Sequence, residues 1–368
     1  MPPDNQRSTF AVRQYCGEVT KAPRAMSELQ IPREDPTQED RKKDHIELAF
    51  RSRVDRADPR FDYEPLLAAH PAPGSLPAVH LLGKAFRTPL WVSSMTGGTA
   101  LARTINHNLA RACAEFGMGM GLGSCRPLLY DDEFFEDFNV RPITGDDVPL
   151  FANLGIAQLE KLLRDREMYR VDAMVDKLRA DGLIVHVNPL QEALQPEGDA
   201  FTRSPLATIE ALLEQTNVPL IVKEVGQGMG PASLRALLQL PLLAIDFAAS
   251  GGTNFALLEL LRQQEAYKDA YTPLAGVGHS AAQMVEFVND AVTELGDRLR
   301  CRQLIISGGV RDFLDGYYLT QRLNLPSVYG QASAFLQYAR GDYADLRAHV
   351  ERQVRGLELA HAYLKVRS

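Results

Sequence analysis

Residues 183–225 read LIVHVNPLQEALQPEGDAFTRSPLATIEALLEQTNVPLIVKEV. Two short apolar runs, Leu183–Asn188 and Leu220–Val225, stand at its ends, and apolar residues recur every three or four positions over Ser204–Gln215. This recurrence predicts a helix between the two runs. Strands that are buried on both faces of a parallel sheet read as near-continuous apolar runs. The stretch therefore predicts a strand, a helix and a second parallel strand.

The same alternation continues along the chain from Pro89 and indicates eight parallel strands in an α/β fold. The predicted strands are Leu90–Ser94, Met118–Ser124, Leu150–Leu154, Leu183–Asn188, Leu220–Val225, Leu243–Ala248, Gln303–Ser307 and Ser327–Gln331. Such units match a TIM (β/α)8 barrel, which usually takes roughly 250 residues. A doubly wound open sheet is the structural alternative, but no G-x-G-x-x-G motif follows the first strand.

The predicted barrel covers residues 89–338, and the segments on either side differ from it in composition. Residues 1–40 are polar and proline-rich, and we expect an N-terminal extension that is mobile or peripheral. Residues 41–88 form a further N-terminal segment, which begins with a charged stretch at 41–58 that predicts a short surface helix. Residues 339–368 are predicted to form a C-terminal helix, because Leu346, Val350 and Leu357 fall on one face.

The composition limits the kinds of partner and the cellular compartment. The formal net charge is −7 and the sequence pI is about 5.7, which argues against nucleic acid as a partner but leaves room for a small anion. The chain has no apolar run of the ~18 residues that a membrane helix needs. It also has no apolar core of a signal peptide, and its four cysteines form no C-x-x-C pair. We therefore expect a cytoplasmic protein with reduced thiols and no membrane partner.

Polar, ionisable and glycine residues collect where the predicted strands end, and the active site of a TIM barrel lies at this end. The clearest case follows the last two strands. Gly308 and Gly309 allow backbone N–H groups to approach a phosphate closely, and residues 330–334 open a helix. Barrels commonly hold a phosphate between these two loops, and Arg311 adds a positive charge there. The alternative is that these glycines only make tight turns.

Two further groups of residues predict binding chemistry. Lys223 lies within a very apolar strand, so it either pairs with Glu224 or faces a cofactor ring or a substrate. After the fourth strand come His186, Asn188, Gln191 and Glu192. One carboxylate among neutral amides suits Mg²⁺, which keeps most of its waters. Without these neighbours, a solvated loop carboxylate would be the preferred interpretation of Glu192. The following residues 197–199 are interpreted as a turn.

Taken together, these residues resemble a known family of flavoenzymes. The motifs are RKKDH at 41–45, MTGG at 95–98, GSCR at 123–126, NLG at 153–155, HVNPLQE at 186–192, PEGD at 196–199, VKEVGQGM at 222–229, GGTNFA at 251–256 and SGGVR at 307–311. In this order they resemble the type 2 isopentenyl diphosphate isomerases, which are FMN-dependent TIM barrels. The resemblance extends from Arg41 to Leu336.

The resemblance implies an isomerase that interconverts isopentenyl and dimethylallyl diphosphate by a 1,3-allylic proton shift. It implies reduced FMN, Mg²⁺ and NADPH, the last only to reduce the flavin, because the reaction has no net redox change. It also implies a homo-oligomer, a tetramer or larger, in which residues 41–88 contribute to the active site.

The resemblance also assigns roles to individual residues. The FMN ligands would be Met95, Thr96, Gly97, Ser124, Asn153, Lys223, Thr253, Gly308, Gly309, Arg311, Gln331 and Ala332. The substrate ligands would be Arg41, Lys42, Arg126, His186, Asn188 and Gln191, of which the last three would be catalytic. Glu192 would bind the metal ion.

Two departures from the family pattern concern the walls of the pocket. Cys125 stands where a glutamine is common, and Tyr271–Ser280 replaces the usual tryptophan-glycine-isoleucine run. An FMN-dependent 2-hydroxy acid oxidase on the same barrel is the first functional alternative. That class needs a histidine base late in the barrel, and His279 is the nearest candidate. A flavin-binding barrel without catalytic activity is the second alternative.

Overall fold

The computed structural model describes residues 38–94 and 100–367, with the backbone alone at 38–40 and 100. This part of the chain forms fifteen helices and twelve strands. The helices are α1 Gln38–Leu48, α2 Ala100–Phe116, α3 Phe135–Phe138, α4 Arg141–Thr144, α5 Ile156–Asp165, α6 Tyr169–Leu178, α7 Pro189–Leu194, α8 Pro205–Gln215, α9 Pro231–Leu238, α10 Phe255–Leu261, α11 Glu265–Ala275, α12 Ala281–Leu295, α13 Phe313–Arg322, α14 Ser333–Ala339 and α15 Tyr343–Tyr363. The strands are β1 Phe61–Tyr63, β2 Val79–Leu81, β3 Lys84–Phe86, β4 Leu90–Val92, β5 Gly119–Gly121, β6 Leu150–Gly155, β7 Gly182–His186, β8 Leu220–Lys223, β9 Ala244–Asp246, β10 Leu304–Ser307, β11 Ser327–Gln331 and β12 Leu364–Val366. No described helix is both long enough and apolar enough to cross a bilayer.

Strands β4 to β11 form a closed parallel barrel, in chain order, with β11 pairing back onto β4. Each of the eight predicted apolar runs overlaps one barrel strand. The longest register pairs β6 with β7, from Phe151 opposite Gly182 to Gly155 opposite His186. The predicted α/β fold class, a TIM barrel, is therefore confirmed, and the open-sheet alternative is wrong.

The interior of the barrel has an apolar lower layer, toward the amino-terminal ends of the strands, and a polar upper layer, toward their carboxyl ends. The lower layer consists of Trp91, Phe151, Ile184, Ile221, Ala244, Ile305 and Val328, which belong to one buried cluster. Side chains two residues apart on a strand point to the same side. The next inward positions are therefore Ser93, Asn153, His186, Lys223, Asp246, Ser307 and Gly330. Seven adjacent strands thus change from apolar to polar or glycine residues at one level, toward their carboxyl ends.

The amino-terminal end of the barrel is closed by the β2–β3 hairpin. Its Leu81, Leu82 and Phe86 join the lower apolar layer. Lys84 Nζ donates to Asp181 Oδ1, which lies just before β7, at 2.6 Å. Asp181 also accepts a hydrogen bond at 3.0 Å from the buried Arg141. These contacts hold the hairpin at the end opposite the carboxyl ends of the strands.

The hairpin belongs to the predicted segment 41–88. Its residues 79–86 lie at the amino-terminal end of the barrel, and the contribution of the segment to the active site stays a prediction. The chain divides into two units, residues 1–58 and residues 59–368, so the predicted segment is split between them. In the first unit, α1 carries Arg41 and Lys42 as exposed side chains.

The C-terminal helix ends earlier than the pattern predicts. Helix α15 begins after Asp342, whose side chain accepts a hydrogen bond from the Ala344 N–H, and it ends at Tyr363. Residues 364–366 instead form β12, which pairs antiparallel with β1. The helical periodicity does not reveal this pairing, because the partner strand lies about 300 residues away in the chain.

Candidate active site

A cavity of about 430 Å³ opens at the carboxyl ends of β4 and of β8 to β11. Several predicted cofactor ligands line it, namely Lys223, Thr253, Gly308, Gly309, Arg311, Gln331 and Ala332. Five separate chain segments contribute these residues and their neighbours, so the barrel brings together what the sequence spreads over more than a hundred positions. We call this space the first cavity.

The loop after β10 requires its glycines. Gly308 has φ +85°, and a Cβ atom there would collide with the backbone of Ala249. Gly309 has φ +69°, and its Cβ would lie 2.8 Å from Ser250 O. Within the described residues, neither glycine N–H donates to a backbone carbonyl. The loop therefore presents backbone donors next to the cavity, an arrangement that suits an anion.

Arg311 is held at the edge of this loop by an ion pair. Its Nε donates to Asp315 Oδ2 at 2.8 Å and its Nη2 to Asp315 Oδ1 at 3.1 Å. Arg60 Nη1 donates to the same carboxylate at 2.7 Å. Burial alone would raise the pKa of Asp315, but the hydrogen bonds from Arg311 and Arg60 outweigh it and lower that pKa. The Arg311 side chain is still 76% exposed, so it can reach a ligand without leaving a buried site.

Two serines at the end of β4 line the first cavity and were not predicted as ligands. The hydroxyl groups of Ser93 and Ser94 are buried and have no hydrogen-bond partner among the described residues. Unpaired buried hydroxyls are costly, so their position beside a cavity favours a polar ligand. The sequence offered a signal, since two hydroxyl residues end an otherwise apolar run.

Lys223 is the buried cation of the polar layer, and Asp246 on β9 is an acidic side chain of the same layer. In the strand registers, Lys223 lies opposite His186 on one side and opposite Asp246 on the other. Neighbouring strands are roughly 4.8 Å apart, so the three side chains are neighbours. Burial raises the pKa of the Asp246 carboxyl, and the charge of Lys223 opposes this rise. Asp246 Oδ1 accepts from Ser307 Oγ, while Oδ2 is buried without a partner among the described residues.

The proposed side-chain pair between Lys223 and Glu224 is not present. Lys223 Nζ donates to the backbone carbonyl of Glu224 at 2.9 Å. The Glu224 carboxylate instead accepts the N–H groups of Gly226, Gln227 and Gly228 at 2.7–2.8 Å. Consecutive residues on a strand point to opposite faces, which explains why the two side chains do not meet.

His186 is neutral at physiological pH. Burial, followed by the nearby charge of Lys223, lowers its pKa to about 3. The ring Nδ1 lies 2.7 Å from Asn153 Oδ1, so a neutral ring donates there and keeps Nε2 as an acceptor. Asn153 is buried and donates to Leu122 O at 3.1 Å. Asn153 therefore orients His186, a role that the sequence did not indicate.

The residues after β7 form one hydrogen-bonded cluster. Asn188 Nδ2 donates to Gln191 Oε1 at 3.1 Å and to Glu192 Oε1 at 3.0 Å. Glu192 Oε2 accepts from Gln195 Nε2 and from the Asp199 N–H, both at 2.8 Å. Glu192 is thus a buried and organised carboxylate, so its interpretation as a solvated loop residue is wrong. The described residues contain no group of three or more His, Cys, Asp or Glu side chains that could hold a metal ion.

Arg126 lies beside this cluster, on a second cavity of about 350 Å³. Its Nη1 is 3.7 Å from Asp199 Oδ2, which also accepts from Gln158 Nε2 at 3.1 Å. A Cβ on Gly155 would lie 2.8 Å from His186 Nε2 and would collide with the Gln158 side chain. Gly155 thus lies between His186 and Gln158, and Gln158 lines the second cavity. Asp199, which was interpreted as part of a turn, links Arg126 to Glu192.

Other predicted site residues lie elsewhere or cannot be assessed. Ser124 is exposed and, like Asn153, does not line the first cavity. Cys125 is buried, and burial raises its pKa to about 12, so it is no nucleophile at neutral pH. Met95, Thr96 and Gly97 lie outside the described residues.

His279 does not line the first cavity. It lines a different cavity, between α8 and α9, together with Glu224. Its ring contacts Phe287 edge-on at a centroid distance of 5.3 Å. The histidine that the oxidase alternative would need is therefore not in place.

Comparison with known proteins identifies the family. No family model matches the chain. The isopentenyl-diphosphate delta-isomerase of Rickettsia prowazekii (strain Madrid E) is 33% identical over 302 residues, which cover 78% of this chain and 82% of that protein. The chain belongs to the isopentenyl-diphosphate delta-isomerase family. The Rickettsia felis member is 32% identical over 336 residues, 87% of this chain and 91% of that protein. The resemblance seen in the motifs and the assignment to the isomerase class are confirmed by this membership.

Solved structures agree with the barrel. A flavocytochrome b2 variant with bound pyruvate matches with a TM-score of 0.54 at 15% identity, over 82% of this chain and 72% of that chain. A mandelate oxidase variant matches with a TM-score of 0.53 at 15% identity, over 83% of this chain and 88% of that chain. At this identity the likeness extends to the fold and no further.

Proposed function

We propose that this isomerase family member interconverts isopentenyl and dimethylallyl diphosphate, with FMN in the first cavity and the substrate diphosphate at the second. The supporting observation is that the SGGVR loop and Lys223 line one cavity, next to the hydrogen-bonded cluster of the HVNPLQE motif. Lys223 joins the two regions, since it lines the first cavity and lies opposite His186 in the strand register.

The first cavity fits a flavin phosphate on three counts. The glycine loop leaves no room for side chains, its N–H groups face no backbone acceptor within the described residues, and the Ser93 and Ser94 hydroxyls are unpaired there. Gly308, Gly309 and Arg311 would hold the phosphate, and Lys223 would lie beside the ring. When bound, reduced FMN supplies an electron-rich ring that can exchange a proton with the substrate.

The chain supplies charge and orientation for the proton shift. Arg126 would bind the diphosphate by charge-assisted hydrogen bonds. His186, being neutral with Nδ1 occupied by Asn153, would interact through Nε2 rather than act as an imidazolium acid. Gln191, which lies between Asn188 and Glu259, would face the hydrocarbon end of the substrate. A small alkene held by such contacts reacts in one orientation, which is the contribution expected of the protein.

Mg²⁺ would have Glu192 as its one protein carboxylate. Each Glu192 oxygen already accepts a hydrogen bond, and the described residues offer no further acidic cluster. Mg²⁺ often binds through one or two carboxylates plus substrate phosphates and waters, and this donor set fits that mode. We therefore propose that the ion enters with the diphosphate. NADPH would serve only to reduce the flavin.

The remaining parts of the proposal rest on the resemblance. A homo-oligomer, a tetramer or larger, would allow the basic residues Arg41 and Lys42 to close over the diphosphate. A cytoplasmic location is consistent with the three buried thiols among the described residues.

The proposal is tested by an anaerobic assay with FMN, NADPH, Mg²⁺ and isopentenyl diphosphate. We expect dimethylallyl diphosphate only when the flavin is reduced. The Glu192→Gln variant should need more Mg²⁺ for the same rate while its FMN affinity stays unchanged. Glu197→Gln is the matched control, because Glu197 lies five residues away and pairs with Arg262 on the surface.

Three results would count against parts of the proposal. Product formation with oxidised FMN alone would remove the reduced-flavin requirement. A Glu192→Gln titration that overlays wild type would remove the metal assignment. FMN binding without any product would support a flavin-binding barrel that has no isomerase activity.

A further inference from the structure

The C-terminal helix α15 contacts the last residue of β11 and the helices α13 and α14, which follow the two loops at one end of the first cavity. Gln353 on this helix is 5% exposed, and its Nε2 donates to Gln331 Oε1 at 2.8 Å. Gln331 is the last residue of β11 and lines the cavity. A residue from outside the barrel core thus hydrogen-bonds directly to the cavity wall.

Gln331 in turn hydrogen-bonds to the loop after β10. The Gln331 Nε2 donates to the Val310 carbonyl at 3.1 Å, and the Gln331 backbone carbonyl accepts the Ser93 N–H at 3.0 Å. The peptide group between Val310 and Arg311 is held from the other side, because the Arg311 N–H donates to Asp315 Oδ2 at 3.1 Å. The orientation of the glycine loop therefore depends on the Gln331 amide, and that amide depends on Gln353.

Two more contacts show that α15 packs around this end of the barrel. His349 stacks on Tyr338 of α14 at a centroid distance of 4.4 Å. A Cβ on Gly356 would lie 2.5 Å from the ring of Phe313, the first residue of α13. Helices α13 and α14 begin just after the two loops, so α15 contacts both helices as well as Gln331.

A buried glutamine at position 353 costs folding free energy if its only role is packing. Its Oε1 is buried and has no hydrogen-bond partner among the described residues. A buried unpaired oxygen costs roughly 1–3 kcal/mol, whereas an apolar side chain of the same size would leave no such atom. The cost is explained if the side chain is present for its Nε2–H donor.

We propose that Gln353 is a positioning residue for the phosphate site: it orients the Gln331 amide and so fixes the Val310 carbonyl and the glycine loop before it. The inference rests on the proposed binding of FMN in the first cavity. It extends that proposal to a residue of the C-terminal helix, outside every motif on which the family resemblance was based.

The test uses the Gln353→Met variant of the full chain, with FMN and riboflavin as paired ligands. Methionine has a similar length but no donor. In wild type the Gln353 Oε1 is unpaired, whereas in the variant the Gln331 Oε1 loses its donor and is unpaired instead. The free energy of unfolding of the protein without ligand should therefore stay close to wild type. Loss of one orienting hydrogen bond should raise the Kd for FMN about fivefold. Riboflavin lacks the phosphate, and its Kd should not change.

The control is Leu346→Ala, which empties a buried position on the same helix. It should lower the melting temperature while the ratio of the two Kd values stays at the wild-type value. An unchanged FMN affinity in Gln353→Met, or an equal loss for both ligands, would overturn the positioning role. A wild-type protein that binds neither ligand would instead refute the proposed function, and this inference with it.

Discussion

The burial of His186 makes a quantitative prediction about the stability of the ligand-free protein in acid. The folded-state pKa is about 3, against an ordinary value of 6.5. Between these two values the unfolded chain binds a proton that the folded chain does not. The contribution of neutral His186 to the free energy of unfolding is therefore fully present above pH 6.5 and is lost as the pH falls toward 3.

The size of the effect follows from the difference in pKa. Each pH unit below 6.5 removes about 1.4 kcal/mol, so a decrease to pH 5 should cost about 2 kcal/mol of unfolding free energy. This figure is an upper value, because the side chain of His186 is only partly shielded from water by its neighbours. Carboxyl groups also titrate in acid, so wild type must be compared with a variant.

The variant is His186→Asn, whose amide nitrogen can replace ring Nδ1 as the donor to Asn153. Urea unfolding of both ligand-free proteins at pH 7.5 and pH 5 gives the four free energies required. We expect wild type to lose up to about 2 kcal/mol more than the variant. His107→Asn, on the partly exposed face of α2, should behave as wild type. Parallel losses in wild type and His186→Asn would refute the argument that His186 is held neutral by burial.

Three further predictions concern binding and stability. Gly308→Ala should abolish detectable FMN binding, because the added Cβ meets the Ala249 backbone, and fluorescence titration would reveal any retained affinity. Lys223→Ala should weaken FMN binding or lower the flavin's reduction potential, and an unchanged spectrum and potential would argue against its place beside the ring. Asp181→Asn should destabilise the protein by about 2–4 kcal/mol in urea unfolding, because it leaves the buried Arg141 without its anionic partner, and FMN affinity should not change.

The pattern of apolar runs was sufficient to predict the barrel. Strands with two buried faces leave a strong signal in the sequence, and eight such runs favour a barrel, whereas its closure is seen in the pairing of β11 with β4. The glycine pair after β10 was also recognisable in the sequence, and the structure shows that positive φ and close backbone approach restrict Gly308 and Gly309 to the smallest residue.

The interactions of the polar residues could not be predicted in the same way. Glu192 was predicted as a metal ligand and Asp199 as a turn residue, but the sequence did not indicate that the two are hydrogen-bonded to each other. The sequence left two interpretations of Lys223, a pair with Glu224 or a contact with a ligand; strand alternation separates Lys223 from Glu224 and places Asp246 opposite it in the register.

The sequence by itself determined the fold class and pointed to the carboxyl ends of the strands and to several residues around the first cavity. These follow from local rules, namely strand periodicity and the steric limits on glycine. Only the tertiary structure decided which polar groups become partners, that residues 79–86 close the opposite end, and that Gln353 of α15 hydrogen-bonds to Gln331 at the first cavity. Hydrogen bonds and ion pairs of this kind join residues that are far apart in the chain, such as Arg60 and Asp315, which are 255 positions apart, and no local pattern records them.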